Sequence, residues 1–120
     1  MRLLICGSRT WWDPVPIAAV LAACPPDTTV VHGDARGADR LAAGLARLAG
    51  LAVEAHPADW TRDGRAAGPR RNAAMLATGI DQVVAFRVDG ASPGTDHMVR
   101  IARKAGVPVR IISGEPREVS

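Results

Sequence analysis

The chain has 120 residues, which is long enough for one sheet covered by helices and too short for a second core. Hydrophobic residues make up 48% of it, which excludes a disordered protein, and with one Phe and no Tyr the core must be largely aliphatic. The formal net charge is +3, from 15 basic and 12 acidic residues, and so small an excess does not by itself indicate nucleic-acid binding.

The sequence carries no pattern typical of secretion, membrane insertion or metal binding. Its two cysteines, Cys6 and Cys24, lack the spacing of a disulfide framework, which favours a reducing compartment. The apolar run at residues 3–6 is too short for a signal peptide, and no stretch reaches membrane-spanning length. The three histidines lack metal-ligand spacing. We expect a cytoplasmic protein with no membrane partner and no metal.

Strand and helix patterns alternate along the chain. Short apolar runs predict five strands, at residues 3–6, 29–31, 51–55, 82–86 and 109–112. Helical spacing bounded by Pro or Gly predicts helices at 14–23, 39–49, 69–79 and 94–106. The polar stretch 56–68 is long for a connection, which is typical of a functional loop. We expect one domain over residues 1–114 and a loose tail over 115–120.

Alternating strands and helices predict an α/β, Rossmann-like, doubly wound domain with helices on both faces of a parallel sheet. Right-handed crossovers give the strand order 3-2-1-4-5. The winding reverses between strands 1 and 4, and the loops that leave their carboxyl ends diverge to form the usual ligand crevice of such sheets.

The loop after strand 1 offers groups that suit an anion. Gly7 permits a sharp exit from the strand and has no Cβ to keep a ligand away. Ser8 offers a hydroxyl, and Arg9 offers five donors with a fixed charge. A tight turn that happens to contain Gly and Ser is the alternative interpretation.

The loop after strand 2 has two glycines, Gly33 and Gly37, before a helix, and this predicts exposed amides at a positive helix end. Asp39 is interpreted equally as a helix N-cap or as a ligand contact. Asp34 is a candidate acceptor for a ribose hydroxyl, and Arg36 is counted among the ligand-binding residues of this loop.

A second helix start follows strand 4. Gly94 and Thr95 open that helix, and their amides and the Thr hydroxyl form another anion cradle across the crevice. Two helix N-termini and Arg9 at the predicted switch point together indicate phosphate binding.

The third helix begins with cations, which a helix N-terminus disfavours. A bound anion would explain Arg70 and Arg71, and solvated surface arginines are the alternative. Asn72 can both donate and accept hydrogen bonds, as recognition of a base or a ribose requires.

The three tryptophans, Trp11, Trp12 and Trp60, all fall in predicted loops at this edge of the sheet. Core packing is the default for any one of them, but a stacking surface for a base is the alternative, with Trp12 and Trp60 as its candidates. Asp59 and Trp60 in the long loop are also candidates for a lid.

These motifs together resemble the YspA-like, YpsA-related branch of the SLOG superfamily. The matching stretches run in order over nearly the whole chain: Gly7-Ser8-Arg9 with Trp12, His32-Gly33-x-Ala35-x-Gly37-Ala38-Asp39, Pro57-Ala58-Asp59-Trp60, Ala67-Gly68-x-x-Arg71-Asn72-x-x-Met75 and Gly94-Thr95-x-x-Met98. The resemblance implies a Rossmann-like fold of the LOG or lysine-decarboxylase-like type. It also implies binding of nucleotides or nucleotide-derived signals, often near phage or defence systems, and LOG-like relatives are often homodimers.

Two better understood relatives supply the alternatives. The LOG phosphoribohydrolases carry Pro-Gly-Gly-x-Gly-Thr-x-x-Glu with a catalytic Glu, and here Met98 occupies the Glu position. A thioether cannot act as a general acid or base, so we assign no catalytic residue and keep Asp96 as a weak candidate. The DNA-processing protein A, a single-stranded DNA binder, is similar over the first half of the chain. A basic groove with stacking aromatics could come from the tryptophans and Arg36, Arg40, Arg62, Arg65, Arg70 and Arg71.

The leading hypothesis is a sensor or accessory module that binds a nucleotide, NAD-derived or ADP-ribose-like ligand, with no certain cofactor. Single-stranded nucleic-acid binding is the alternative, and a phosphoribohydrolase-like enzyme is the second alternative.

Overall fold

The computed structural model of the protein describes residues 1–115, so the predicted loose tail lies, except for Glu115, outside the described residues. The strands are β1 Arg2–Gly7, β2 Thr29–His32, β3 Ala52–Ala55, β4 Gln82–Val88 and β5 Val109–Gly114. The helices are α1 Pro14–Ala22, α2 Ala38–Leu48, α3 Trp60–Asp63, α4 Ala67–Ala77 and α5 Pro93–Lys104. No helix within residues 1–115 is long and apolar enough to cross a membrane.

The five strands form one parallel sheet in the order β3-β2-β1-β4-β5. β1 is the central strand, and its Leu4 aligns with Val31 of β2 on one side and Val83 of β4 on the other. β1 lies between two other strands and is buried on both faces of the sheet. Its sequence is therefore a continuous apolar run and does not alternate. The predicted strand order and fold class are confirmed.

Helices cover both faces of the sheet, and each face has its own core. Side chains of β1 alternate between them, so that Leu3 and Ile5 pack with α1 and α2. Leu4 and Cys6 point the other way and pack with α4 and α5. The small residues of α2, such as Ala42, let that helix lie close to the sheet.

The stretch 56–68 differs most from the prediction. It contains the short helix α3 and one turn of 3-10 helix at Gly64–Ala66, and α4 begins at Ala67, two residues before Pro69. Asp59 caps α3 by accepting a hydrogen bond from the Arg62 amide at 3.0 Å. Pro69 lies in the first turn of α4, where the missing amide hydrogen costs nothing, so proline marks the first turn of this helix and not its first residue.

Candidate functional site

A crevice of about 320 Å³ lies between the carboxyl ends of β1 and β4, where the strand order reverses. This is the position that the topology predicts for a ligand site. The residues that line the crevice are Cys6, Gly7, Ser8, Arg9, Thr10, Ala35, Asp39, Arg71, Asn72, Met75, Ala91, Ser92, Pro93, Gly94 and Thr95. Of the predicted ligand-binding residues, Gly33, Asp34, Arg36 and Gly37 are not among them.

The two loops that flank the crevice are joined by serine hydroxyls. The Ser8 and Ser92 oxygens lie 2.7 Å apart, and the Val88 amide donates to the Ser8 hydroxyl at 2.9 Å. Ser8 is buried, so its hydroxyl fixes the β1 loop to the end of β4. The hydroxyl of Ser8 therefore makes its hydrogen bonds within the protein. Gly7 is similarly constrained, because a Cβ there would collide with the Phe86 carbonyl and with Ala38.

The N-terminus of α5 opens onto the crevice. Pro93 occupies the first turn, and the Asp96 amide makes the first bond, to the Ser92 carbonyl at 2.9 Å. The Gly94 and Thr95 amides and the Thr95 hydroxyl have no hydrogen-bond partner within residues 1–115. Thr95 is only 5% exposed, yet it lines the crevice. This helix end therefore presents open donors and a positive dipole to the cavity.

The N-terminus of α2 is closed by the protein. Its first amide, that of Ala38, donates to the Ser8 carbonyl at 3.4 Å. The N-cap is Gly37, not Asp39, and Gly37 has a φ of +80°. A Cβ at Gly37 would lie 2.6 Å from the Arg9 carbonyl oxygen, so only glycine permits the β1 loop to pass this close.

Asp39 lies inside the first turn of α2, with its carboxylate turned back on the loop. The Gly33 amide donates to Asp39 Oδ2 at 2.8 Å. Burial raises the pKa of Asp39 to about 6, although the Gly33 amide and the charge of Arg71 act in the opposite direction. Of the described residues lining the crevice, Asp39 is the one carboxylate. Burial also raises the pKa of the Cys6 thiol, which keeps it protonated.

Arg71 lies in α4 at the wall of the crevice. Its Nη1 donates to the Gly33 carbonyl, and its Nε donates to Asn72 Oδ1 at 3.0 Å. A Cβ at Gly33 would lie 2.6 Å from the guanidinium carbon, so Gly33 makes room for this side chain. Burial lowers the pKa of Arg71. Its Nη2 has no hydrogen-bond partner among the described residues.

The neighbouring Arg70 has a different environment. It points out of the crevice and pairs with Asp63 of α3 at 3.0 Å. The two arginines at the start of α4 thus have separate explanations, an ion pair for Arg70 and backbone carbonyls for Arg71. A bound anion is not required to hold either of them.

Asn72 is buried and fully engaged with the protein. Its Nδ2 donates to the Gly94 carbonyl at 3.1 Å and lies 3.1 Å from His97 Nδ1. Its Oδ1 accepts from Arg71. The predicted recognition of a base or ribose therefore does not suit Asn72, whose amide instead holds the first turn of α5 against α4.

A second cavity of about 290 Å³, which we call the Trp60 cleft, adjoins the crevice. It is lined by Arg9, Gly33, Asp34, Ala35, Arg36, Arg40, Pro57, Ala58, Trp60 and Arg71. Asp34 has a φ of +55° and lies 3.4 Å from Arg40. Arg9 and Arg36 are exposed and have no ion-pair or hydrogen-bond partner in the part of the chain that the structure describes. Three predicted ligand residues, Gly33, Asp34 and Arg36, belong to this cleft.

The three tryptophans do not form one stacking surface. Trp11 is buried, with its ring 5.3 Å from that of Phe86 in an edge-to-face arrangement. Trp12 is exposed but lies beside Ser113, and its Nε1 donates to the Glu115 carbonyl at 3.3 Å. Trp60 alone is exposed next to the crevice, in the cleft named for it.

The weak catalytic candidate lies outside the crevice. Asp96 forms a two-pronged ion pair with Arg87, at 2.8 and 3.1 Å, which lowers its pKa. Met98 is fully buried in the core beneath α5. Within residues 1–115, no three His, Cys, Asp or Glu side chains are grouped to hold a metal ion.

The predicted ligand-binding residues omit Ser92, which lines the crevice, and the sequence suggests Arg40, which lines the Trp60 cleft, only for a nucleic-acid groove. Ser92 could be found from its place directly before Pro93 at a predicted helix start, where Ser is a common N-cap. The place of Arg40 in the cleft depends on how the preceding loop turns at Asp34.

The fold and this crevice define a single Rossmann-like α/β domain with an anion-compatible cavity at its topological switch point. The chain belongs to the YspA, cpYpsA-related SLOG family, whose model matches residues 1–62. It is also similar to the Gene 61 protein of Mycobacterium phage D29. The two are 43% identical over an alignment of 124 residues, which covers 96% of this chain and 98% of that protein. This family and fold are consistent with nucleotide-related binding, and a phage relative fits the expected phage association.

Proposed function

We propose that the protein is a binding module for a nucleotide or nucleotide-derived ligand whose phosphate lies in the crevice at the start of α5. The observation that carries the proposal is the set of open donors there. The Gly94 and Thr95 amides and the Thr95 hydroxyl line the crevice without partners in residues 1–115. Such donors at a positive helix end suit a phosphate.

Arginine charges reinforce this site. Arg9 and Arg71 both line the crevice, and Arg9 has no partner among the described residues. A charge-assisted hydrogen bond contributes about 1.5–3 kcal/mol, and micromolar affinity needs roughly 8 kcal/mol. Three donors from the helix end and two arginines, at this value each, total about 8–15 kcal/mol, which is the order that micromolar affinity needs.

Other cavities fit a phosphate less well. A groove of about 500 Å³ between α1 and the β4 and β5 strands is larger than the crevice. Its described lining is mainly apolar, and Arg110 is its one charged side chain. An anion would gain fewer donors there than at the helix end and two arginines of the crevice, so the crevice is the better site.

Binding without catalysis is the better-supported role. Met98, at the position of the LOG-type catalytic Glu, is buried in the core, and Asp96, the candidate replacement, is paired with Arg87 outside the crevice. A sensor or accessory module needs only the donors described above.

The test is the affinity of Arg9→Ala for AMP and ADP-ribose, measured by calorimetry. Arg9 has no described partner, so its loss leaves the fold intact, and we expect affinity to fall at least tenfold. Arg103→Ala, an exposed α5 arginine that lines neither cavity, is the matched control and retains full affinity. Unchanged affinity in Arg9→Ala would refute the phosphate site.

Single-stranded nucleic-acid binding is a second candidate, favoured by the arginines and the exposed ring of the Trp60 cleft. It predicts that binding of an oligonucleotide weakens by about 0.7 log units per phosphate contact for each tenfold rise in salt. An undetectable or salt-independent signal would exclude it.

A further inference from the structure

We propose that the Trp60 cleft is a second ligand subsite, which takes the distal nucleoside of a pyrophosphate-linked dinucleotide. The inference rests on the proposed function, because the proximal phosphate is the one in the crevice. It narrows the ligand to a molecule with two parts, one at the start of α5 and one over Trp60.

The two cavities adjoin and share part of their walls. Arg9, Ala35 and Arg71 line both the crevice and the Trp60 cleft. Arg71 is fixed at this boundary by its bond to the Gly33 carbonyl, while its Nη2 remains without a described partner. Two guanidinium groups at the junction match a linker that carries two adjacent negative charges, which is the chemistry of a pyrophosphate.

Trp60 is held in place but left uncovered. It is the first residue of α3, which Asp59 caps, and the edge of its ring lies next to Gly68 of α4. The residue as a whole is 53% exposed. A supported, half-covered indole beside arginines is the usual platform on which a nucleobase stacks.

The charges around α3 are arranged selectively. Arg62 and Arg70, which line neither cavity, both pair with Asp63, at 2.9 and 3.0 Å, and Arg62 also lies 3.9 Å from Asp59. Arg36, which faces the Trp60 cleft, has no ion-pair partner in residues 1–115, and Arg40 has only Asp34 at 3.4 Å. Arg36 therefore faces the cleft with its charge uncompensated by the described residues, whereas Arg62 and Arg70 beside the cleft are paired.

The experiment is calorimetry of the full chain with AMP and with diadenosine diphosphate. The symmetric dinucleotide removes the question of which end lies on Trp60. We expect the dinucleotide to bind at least tenfold more tightly than AMP, since one stacked base commonly accounts for a factor of this size. Trp60→Ala should abolish that advantage and leave AMP affinity unchanged, and Trp60→Phe, which keeps a ring, should restore most of it.

Trp12→Ala is the matched control, because Trp12 is also exposed but lines neither cavity, and it should change neither affinity. Equal affinities for AMP and the dinucleotide in the unmodified chain would overturn the second subsite while leaving the proposed function intact. A loss of AMP binding in Trp60→Ala would also overturn it, because one nucleotide would then span both cavities. No binding of either nucleotide to the unmodified chain would remove the proposed function itself.

Short oligodeoxyadenylates, which contain phosphodiesters but no pyrophosphate, are the third class of ligand in this experiment. Weaker binding of these oligomers than of the dinucleotide supports the inference. Tighter, salt-sensitive binding of the oligomers that depends on Trp60 would assign the cleft to a single strand instead.

Discussion

The two helix starts near the crevice, those of α2 and α5, have the same kind of sequence but differ in their hydrogen bonding. Both follow a strand and a glycine-bearing loop, and both are positive helix ends. At α2 the Ser8 carbonyl accepts from the first amide, and Asp39 places a carboxylate within the first turn. At α5 the first-turn donors have no partner among residues 1–115. A helix N-terminus is thus a ligand site only where the chain has not already satisfied it.

The difference separates stability from binding. The start of α2 holds the β1 loop, because Gly37 lies against the Ser8 and Arg9 carbonyls. The start of α5 is held by Asn72 and Ser8, but its first-turn amides have no partner within residues 1–115. Changes at α2 should therefore lower the free energy of unfolding, while changes at α5 should lower ligand affinity.

The largest expected effect is that of Gly37→Ala. An alanine there must adopt a φ of +80° and bring a Cβ within 2.6 Å of the Arg9 carbonyl oxygen. Backbone strain and steric overlap each cost about 1–3 kcal/mol, so we expect a loss of about 2–6 kcal/mol in the free energy of unfolding, measured by urea titration.

Gly94→Ala is the matched control. A Cβ at Gly94 would meet no atom within 4 Å, and the residue lies in the first turn of α5. Alanine has the higher helix propensity, so unfolding free energy should stay the same or rise by up to about 1 kcal/mol. Similar losses in both variants would contradict the proposed difference between the two helix starts.

The fold could be predicted from the sequence because its signals are local and strong. The continuous apolar run at residues 3–6 can only be a strand buried on both faces, and with five strands alternating with helices the order follows from handedness. The stretch 56–68, predicted as a loop, contains α3 and a 3-10 turn, and elsewhere the element boundaries differ, as at Ala67, where α4 begins before its proline.

The position of the site could be predicted from the sequence, but the role of each residue in it could not. The strand order gives the switch point, but the partner of each polar group depends on tertiary contacts that no local pattern encodes. Asn72 has the chemistry of a ligand-binding residue and instead bonds to Gly94 and His97. Trp11 and Trp12 are adjacent in sequence, yet one is buried against Phe86 and the other is exposed elsewhere.

Asp39 gives the next largest effect, through pH. Its folded pKa of about 6 exceeds the reference value of 3.8, so protonation favours the folded state. The stability it contributes is fully present below pH 3.8 and is lost as pH rises through 6. The shift corresponds to on the order of 3 kcal/mol. We expect unfolding free energy of the wild type, relative to Asp39→Asn, to fall by this order between pH 4 and pH 7.

The comparison with Asp39→Asn isolates this carboxyl group. The other titrating groups, including His32 and His97, whose pKa values burial lowers, are common to both chains and cancel in the difference. Asparagine keeps an oxygen that can accept from the Gly33 amide. A difference that is flat with pH would mean that Asp39 is not desolvated at the start of α2.

The smallest effects should separate two hydroxyls that line the same crevice. Ser8→Ala removes the acceptor of the buried Val88 amide, which lies 2.9 Å from the Ser8 oxygen, and an unsatisfied buried donor costs about 1–3 kcal/mol of unfolding free energy. Thr95→Val keeps the shape of a side chain whose hydroxyl has no partner in residues 1–115, so stability should be unchanged. Its affinity for AMP should instead fall roughly tenfold, because a hydrogen bond to phosphate is lost. Urea titration and calorimetry on both variants measure the two quantities. A stability loss in Thr95→Val, with unchanged AMP affinity, would show that the Thr95 hydroxyl makes a structural contact. The start of α5 would then be satisfied by the protein, like the start of α2.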